Sequence, residues 1–337
     1  MIIRLLLPFL LFSCSPSHKL SRREFQKFQV SGLAQGTSYA ITYYASELKV
    51  TKNMVDSIFY SIDQSLSIYN LNSIITKFNN SDSGIEVDTH FQKVISKSLA
   101  IWKETGGLFD ITVYPLVEAW GFGLKSRNSV PDSAMISSLK NCIGSDRLKL
   151  MKNKLLKEKR CIKIDVNGIA QGYTVDIIAE FLQSNGIRDY LVELGGEIRT
   201  SGKKKPGNES IKIGIESPGK DEFEISLVKK VIELTNAAIT TAGNYRKYYE
   251  SGGKNYSHHI DPRSGYPVQN ELISVSVIAR DAMTADVYDN VLMVLGLTKG
   301  FSFVEKNPSM AAHFIFFDKN GIIRDTVTSR FPSWTSQ

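Results

Sequence analysis

The sequence predicts an α+β fold in which helices pack against mixed or antiparallel sheets, and three observations carry that prediction. Apolar and polar residues alternate from Val30 to Tyr44 on both sides of Gln35-Gly36, as they do in a hairpin. Residues 52 to 67 and the segment from Phe91 to Trp102 carry apolar side chains at helical spacing. A third pattern, the alternation from Ile273 to Ile278, predicts a strand late in the chain.

The stretch from Ile162 to Asp176 predicts a strand, a turn and the start of a helix. Apolar residues alternate from Ile162 to Val166, and helical spacing from Val175 onwards ends at Asn185-Gly186, a plausible left-handed cap. Asp165 therefore sits beside a helix N-terminus, whose free N–H groups and dipole favour anionic ligands. These features outline a phosphate site.

Other segments complete the predicted order of elements. They are a polar, turn-rich loop from Asn72 to Asn80, a short helix from Pro131 through Leu139, strands at Tyr190 to Leu194, Ile211 to Ile215, Glu224 to Leu227 and Val231 to Leu234, a helix from Ala285 to Leu295, and a hairpin around Asp318 to Gly321.

Composition favours a globular protein and argues against a nucleic-acid partner. Of 337 residues, 42% are hydrophobic and 10% are aromatic. The net charge is +7, but the basic residues are scattered in loops such as Lys203 to Lys205. Because zinc-finger, basic-helix and aromatic-interleaved patterns are missing from the sequence, no nucleic acid is expected. We predict a single domain over residues 29–337, in one or two lobes.

The N-terminus resembles a bacterial lipoprotein signal. Arg4 precedes the apolar run from Leu5 to Phe12, which is too short to span a bilayer and is typical of a signal peptide over residues 1–13. Leu11 to Cys14 resembles a lipobox, which makes Cys14 the lipidated residue and residues 14–28 a tether. The alternative is an exported protein with an unmodified Cys14.

The two remaining cysteines, Cys142 and Cys161, lack the spacing of a thiolate metal site. An oxidising compartment permits a disulfide between them. We favour the simpler interpretation, two small core residues.

Two further segments carry candidate chemistry. In Ala119-Trp120-Gly121, small residues next to an aromatic side chain let the backbone approach a flat ring; the alternative is a buried Trp in a tight loop. Asp286, Asp289 and Asn290 lie at i, i+3 and i+4 of a predicted helix, which places three oxygen-bearing side chains on one face. By itself this spacing is more typical of a solvated helix face.

Five stretches, taken in order, resemble the ApbE family of FAD:protein FMN transferases. They are Gly36-Thr37, Phe109 to Thr112 with Ala119 to Gly123, Asp165 to Asp176, Leu194 to Glu197, and Tyr256 to His258 with Asp261 to Gly265. The resemblance implies a T-fold-like architecture. It also implies Mg²⁺-dependent transfer of the FMN half of FAD to a Ser or Thr of an acceptor protein, with release of AMP. Acceptors in that family are subunits of membrane redox complexes, and the enzymes are typically periplasmic.

The resemblance also assigns site residues. FAD would contact Gln35, Tyr69, Ala119, Trp120, Gly121, Asp165, Gln171 and Ile260; Mg²⁺ would be held by the Gly168 carbonyl, Asp286 and Asn290; and His258 and Asp289 are the candidate catalytic residues. For His258 the alternative is a structural hydrogen bond, and Arg263 either contacts phosphate or pins its loop through Asp261.

The chain departs from the family pattern at three positions. Gln171 replaces a Lys or Glu and cannot ionise, which removes proton transfer and leaves a hydrogen bond to FAD. Asn290 replaces a Thr but still offers an oxygen to Mg²⁺, and Gln35 replaces a Met that packs on the flavin. Two rival functions therefore stay open: hydrolysis of FAD to FMN and AMP, and FAD binding without catalysis.

Overall fold

The computed structural model describes residues 25–124, 130–216, 228–244, 248–251 and 254–332. In these ranges the α-helices are α1 (Lys52–Leu66), α2 (Ile74–Asn80), α3 (Thr89–Glu104), α4 (Tyr114–Ala119), α5 (Ser133–Lys140), α6 (Asn167–Ser184) and α7 (Ala282–Lys306). The strands are β1 (Gln26–Ala34), β2 (Thr37–Ala45), β3 (Gly84–Glu86), β4 (Leu148–Met151), β5 (Lys154–Lys157), β6 (Asp189–Leu194), β7 (Glu197–Ser201), β8 (Lys212–Glu216), β9 (Val228–Glu233), β10 (Ala238–Gly243), β11 (Tyr248–Ser251), β12 (Lys254–Ser257), β13 (Ile260–Asp261), β14 (Tyr266–Pro267), β15 (Leu272–Ala279), β16 (Ala311–Phe317) and β17 (Ile323–Val327).

The central element is an antiparallel sheet of eight strands in the order β1-β2-β6-β7-β10-β15-β16-β17. The predicted first hairpin is confirmed, because Ala34 pairs with Thr37 across the Gln35-Gly36 turn. The closing hairpin is confirmed as well, with β16 paired to β17. Helices packed on an antiparallel sheet confirm the α+β prediction.

The sheet is covered on both faces. Apolar residues of α6, such as Ile178 and Leu182, share a core cluster with Ile41 of β2 and Val192 of β6. On the opposite face, β8 and β9 form a hairpin whose isoleucines pack against residues of β7 and β15. The sheet is therefore the middle of a layered core, and its helical face carries the site described below.

Helices α6 and α7 lie unusually close together because of a glycine. A Cβ atom at Gly172 would come within 2.4 Å of the Ala282 carbonyl oxygen and 2.7 Å of the Asp286 Cβ. Gly168, one turn earlier in α6, is next to Asn290, one turn later in α7. The two helices thus run antiparallel, and the first turn of α6 faces the carboxylate positions of α7.

Two predictions about local structure are wrong. Residues 162–166 alternate in burial as predicted, but they form no strand, because the side chains of Asn79 and Lys157 and the Ile111 carbonyl, rather than a neighbouring strand, bond to their backbone. The predicted loop from Asn72 to Asn80 contains α2, since Ser73 caps the backbone N–H of Thr76 and the apolar side chains of the helix are buried.

The preference for two unpaired core cysteines is also wrong. Cys142 and Cys161 form a disulfide, with their Cα atoms 5.5 Å apart. The fold brings the end of α5 beside the segment that leads to Asp165, a proximity that 19 residues of separation do not reveal.

Some predictions fall outside the described residues. The signal peptide, Cys14 and most of the tether lie in residues 1–24, and the predicted strand from Glu224 to Leu227 lies in residues 217–227. These stay predictions. Among the helices of the described ranges, none combines the length and apolar character needed to cross a membrane.

Candidate active site

The acidic face of α7 is buried. Asp286 is 5% exposed and Asp289 is 1% exposed, because α7 packs between α6 and strands β10 and β15. The interpretation of these residues as a solvated helix face is therefore wrong. Two adjacent buried carboxylates require compensation, since burying a charge without a partner is costly.

The described residues offset little of the negative charge of Asp286 and Asp289. The Gly172 N–H donates to Asp286 Oδ2 over 2.8 Å. Burial raises the pKa of Asp286 to about 7. Burial, reinforced by the charge of Asp286, raises the pKa of Asp289 well above its usual value. In the described part of the chain, no lysine or arginine forms an ion pair with either carboxylate.

Asn290 is oriented by the same helix. Its amide nitrogen donates to the Asp286 carbonyl over 2.8 Å and to Asp289 Oδ1 over 3.0 Å. With the nitrogen held in the helix, the amide oxygen is the end directed away from these partners. A Cβ at Gly168 would lie 3.4 Å from the Asn290 amide nitrogen, so Gly168 lies beside this side chain.

These residues fit a hard divalent cation. Among the described residues, no group of three or more His, Cys, Asp and Glu side chains is arranged to hold a metal. The predicted set instead mixes carboxylate, amide and main-chain carbonyl oxygens, which are the ligands that Mg²⁺ accepts. The uncompensated charge of Asp286 and Asp289 supports that fit, because a cation would relieve it.

Asp165 lies at the entrance to α6. Its own N–H donates to the Ile111 carbonyl over 2.8 Å, and its Oδ1 accepts the N–H of Asn167 over 2.8 Å. Burial raises the pKa of the Asp165 carboxyl to about 6. The Tyr69 side chain is 69% exposed, and its pKa is raised by partial desolvation and then by the charge of Asp165. Tyr69 and Asp165 therefore share one edge of the site.

Gln35 connects the first hairpin to α6. It occupies the hairpin turn with a φ of +50°, and its Nε2 donates to Asp63 Oδ1 over 3.2 Å and to Thr174 Oγ1 over 3.1 Å. Thr174 lies one turn after Gln171, which is half-buried. The turn of the hairpin is thereby held beside the helix that carries Gly168 and Gln171.

The Trp120 side chain forms a small apolar cluster of its own. It is 3% exposed, donates from Nε1 to the Gly265 carbonyl over 2.9 Å, and packs near the rings of Tyr256 and Tyr266. Ile260 belongs to the same cluster. This burial matches the alternative of a buried Trp in a tight loop, so the surface that Ala119-Trp120-Gly121 can offer to a ring is its backbone. Gly121, with a φ of +83°, gives that backbone its sharp turn.

The histidine loop joins this cluster to the acidic helix. His258 is half-buried with its ring 6.3 Å from Phe122 and 4.1 Å from His259, measured between centroids. His259 is buried, and burial followed by the nearby His258 lowers its pKa well below the usual value, while the neighbouring Asn290 side chain opposes that shift.

Within the part of the chain that the structure describes, the Arg263 side chain bonds inside its own loop. It makes two side-chain hydrogen bonds to Asp261, of 3.0 and 2.8 Å, as the interpretation of a loop-pinning residue expects.

The fold brings most of the predicted residues into one region. Gly168, Gln171, Asp286, Asp289 and Asn290 meet at the α6–α7 contact, Gln35 reaches it through Thr174, and the histidine loop reaches it through His259. The sequence does not single out Thr174 or His259 as site residues. No local pattern distinguishes either residue, because each is defined by a contact with a residue far along the chain.

A family model and several curated relatives match this chain. The ApbE family model matches residues 35–314. The FAD:protein FMN transferase of Vibrio cholerae is 35% identical over 289 residues, which cover 84% of this chain and 85% of the relative. The protein of the same name from Haemophilus influenzae is 33% identical over 315 residues, or 90% of each chain.

Solved structures show the same fold. The flavin transferase ApbE from Vibrio cholerae superposes with a TM-score of 0.80 at 31% identity, covering 90% of this chain and 98% of that structure. The apo flavinyl transferase ApbE of Pseudomonas stutzeri gives a TM-score of 0.81 at 31% identity, covering 91% and 96%. The predicted family and fold class are both confirmed. With a family match over most of its length and relatives above 30% identity, the chain belongs to the ApbE family.

Proposed function

We propose that this protein transfers the FMN half of FAD, with Mg²⁺, to a Ser or Thr of an acceptor protein and releases AMP. The names of the relatives support the transfer itself, and they confirm the predicted enzyme class, FAD:protein FMN transferase. The observation that carries the proposal is the buried, uncompensated pair Asp286 and Asp289 beside the Gly168 backbone.

The reaction requires charge neutralisation at a pyrophosphate. A neutral hydroxyl attacks phosphorus, the phosphoanhydride bond breaks, and AMP leaves as an anion. Mg²⁺ held by the Gly168 carbonyl, Asp286 and Asn290 would supply Lewis-acid stabilisation of the phosphate oxygens. Asp286 provides the formal charge of that set, and Asn290 adds a neutral oxygen where relatives usually have Thr.

We propose that proton transfer involves the histidine loop. His258 is the candidate base for the acceptor hydroxyl, since it is half-buried and therefore reachable, whereas His259 is enclosed. Asp289 is enclosed too, and its bond to the Asn290 amide supports a role in orienting Asn290. We therefore propose that Asp289 acts on the reaction through Asn290.

The remaining predicted residues are proposed to bind FAD. Asp165 and Gln171 would accept and donate hydrogen bonds to the nucleotide at the start of α6, where the helix dipole favours phosphate. The flavin would lie against Gln35, Tyr69, the backbone of Ala119-Trp120-Gly121, and Ile260. The shared cluster of Trp120 and Ile260 supports a single flavin wall.

We also propose that the protein works on the periplasmic side of a bacterial membrane, anchored through a lipidated Cys14, and that its acceptors are subunits of membrane redox complexes. The apolar run before Cys14 supports export, and so does the disulfide between Cys142 and Cys161, because disulfides persist in oxidising compartments.

The test is a transfer assay. Purified protein incubated with FAD, Mg²⁺ and an acceptor subunit should leave a fluorescent flavin on a Ser or Thr of the acceptor, located by mass spectrometry. Absence of a flavinylated acceptor with Mg²⁺, Mn²⁺ and Ca²⁺ alike would refute transfer. Release of AMP without an acceptor would favour FAD hydrolysis, and tight FAD binding with neither product would favour a binding protein.

A further inference from the structure

The segment that carries Asp165 lies outside the sheets and helices. Residues 162–166 form neither strand nor helix, although Ile162, Ile164 and Val166 are buried. Buried backbone N–H and C=O groups require hydrogen-bond partners. For this segment the partners come from elsewhere in the chain.

Asn79, the penultimate residue of α2, supplies two of those partners. Its Nδ2 donates to the Ile164 carbonyl over 2.9 Å, and its Oδ1 accepts the Ile164 N–H over 2.7 Å. The amide thus reproduces the pair of bonds that a neighbouring strand would make. Asn79 is 8% exposed, so water cannot readily replace these bonds if the side chain is removed.

Lys157 joins the same segment to the end of α2. Its Nζ donates to the Phe78 carbonyl over 3.0 Å and to the Ile162 carbonyl over 2.9 Å, with longer contacts to the Asn79 and Arg160 carbonyls. The side chain is buried in this group of carbonyls. It therefore fastens the end of α2 to the residue two positions before Ile164.

We infer that Asn79 is a positioning residue for Asp165, and that it sets the affinity for FAD through the backbone of Ile164. Asp165 follows Ile164 directly, and the backbone N–H of Asp165 donates to the Ile111 carbonyl. Two successive residues are thereby held before α6 begins at Asn167. The inference rests on the proposed function, in which Asp165 binds the nucleotide of FAD.

The experiment compares Asn79→Ala with a matched control. Thr328 makes the same kind of contact in a distant part of the sheet, where its buried Oγ1 bonds to both the N–H and the carbonyl of Ala312. Dissociation constants for FAD are measured by titration calorimetry, transfer kinetics with a fixed acceptor, and thermal stability by circular dichroism. We expect Asn79→Ala to raise the Kd and the KM for FAD about tenfold, with kcat changed less than about twofold. Thr328→Ala should lower Tm and leave FAD binding unchanged.

Asn79→Asp gives a second variant. It keeps the size of the side chain and an acceptor for the Ile164 N–H but sets a carboxylate oxygen against the Ile164 carbonyl, so the Kd for FAD should rise here too. This variant decides the matter if Asn79→Ala does not fold. Normal FAD affinity in a folded Asn79 variant with lowered Tm would overturn the inference. A wild-type protein that binds FAD without transferring FMN would refute the proposed function alone, and one that binds no FAD would refute both.

Discussion

Two groups of buried carboxylates lie along the contact between α6 and α7, and their negative charges are offset to different extents. Asp176 of α6 pairs with Arg199 Nη1 at 2.6 Å and accepts the N–H groups of Ala282 and Met283, both over 2.9 Å. Its partners are a cation and the open end of α7. About one turn away, Asp286 accepts a hydrogen bond from the Gly172 N–H, and Asp289 accepts one from the Asn290 amide.

The contrast distinguishes a carboxylate that is paired within the protein from one that we propose as a metal ligand. Burial raises the pKa of Asp176, but Arg199 and the two N–H groups oppose that increase. Burial also raises the pKa of Asp286, and among the described residues the hydrogen bond from Gly172 is the one interaction that opposes it. Asp176 and Asp286 have the same exposure, 5%, so burial alone does not distinguish them. The absence of a paired cation among the described residues does, and it motivates the proposed metal site beside Asp286.

The largest expected effect follows removal of the metal ligand. Asp286→Ala should reduce FMN transfer by on the order of a thousandfold, because the transition-state charge loses its counter-ion. The apo protein should remain folded, since the variant removes an uncompensated buried charge. Steady-state transfer and circular dichroism check both statements, and near-normal transfer would place the metal elsewhere.

Removal of the Arg199 side chain should lower stability rather than transfer. Arg199→Met leaves Asp176 buried without its ion pair and should lower the free energy of unfolding by about 3 kcal/mol. Urea denaturation measures the change, and transfer by the folded fraction should stay within about twofold of wild type. The double variant Asp176→Asn with Arg199→Met should recover part of the loss. A drop in transfer without a drop in stability would contradict the comparison.

Binding of Mg²⁺ should stabilise the protein in a pH-dependent way. At about a hundred times its Kd, the ion should add about 2.7 kcal/mol to the free energy of unfolding. The folded pKa of Asp286, about 7, exceeds its unfolded value of about 4, so the apo protein loses this group's contribution as pH rises through that window.

Mg²⁺ competes with the proton on Asp286, so the stabilisation it provides should be larger at pH 8 than at pH 6. Thermal melts with and without Mg²⁺ measure it. Asp286→Asn is the control and should show no shift from Mg²⁺ at either pH; an equal shift in that variant would mean that the ion binds elsewhere.

The smallest effect is expected at Gln171. Gln171→Ala removes one hydrogen bond to FAD and should weaken binding about three- to tenfold, with kcat at saturating FAD unchanged. Gln183→Ala is a matched control on the same helix, because Gln183 bonds to Tyr190 instead and lies far from the first turn. Equal, mild effects from Gln171→Ala and Asp286→Ala on transfer would show that the site is wrongly assigned.

Much of the fold and the composition of the site followed from local patterns. The spacing of Asp286, Asp289 and Asn290 placed them on one helix face, and the Gln35-Gly36 turn fixed the first hairpin. The disulfide and the α2 helix were predicted wrongly. Each depends on packing: α2 is stabilised by burial of Ile75 and Phe78, and the cysteines meet only because α5 folds against the segment before Asp165.

The sequence by itself determined the family, the α+β class and the residues available for the site, because periodicity and ordered motifs are carried by neighbours along the chain. The tertiary structure decided which of the buried carboxylates have a cationic partner. Asp176 and Asp286 are alike in sequence terms, and only the position of Arg199, held on β7 beside one and away from the other, makes the first structural and the second a candidate ligand. Burial and charge balance are set by contacts between distant residues, which no local pattern records.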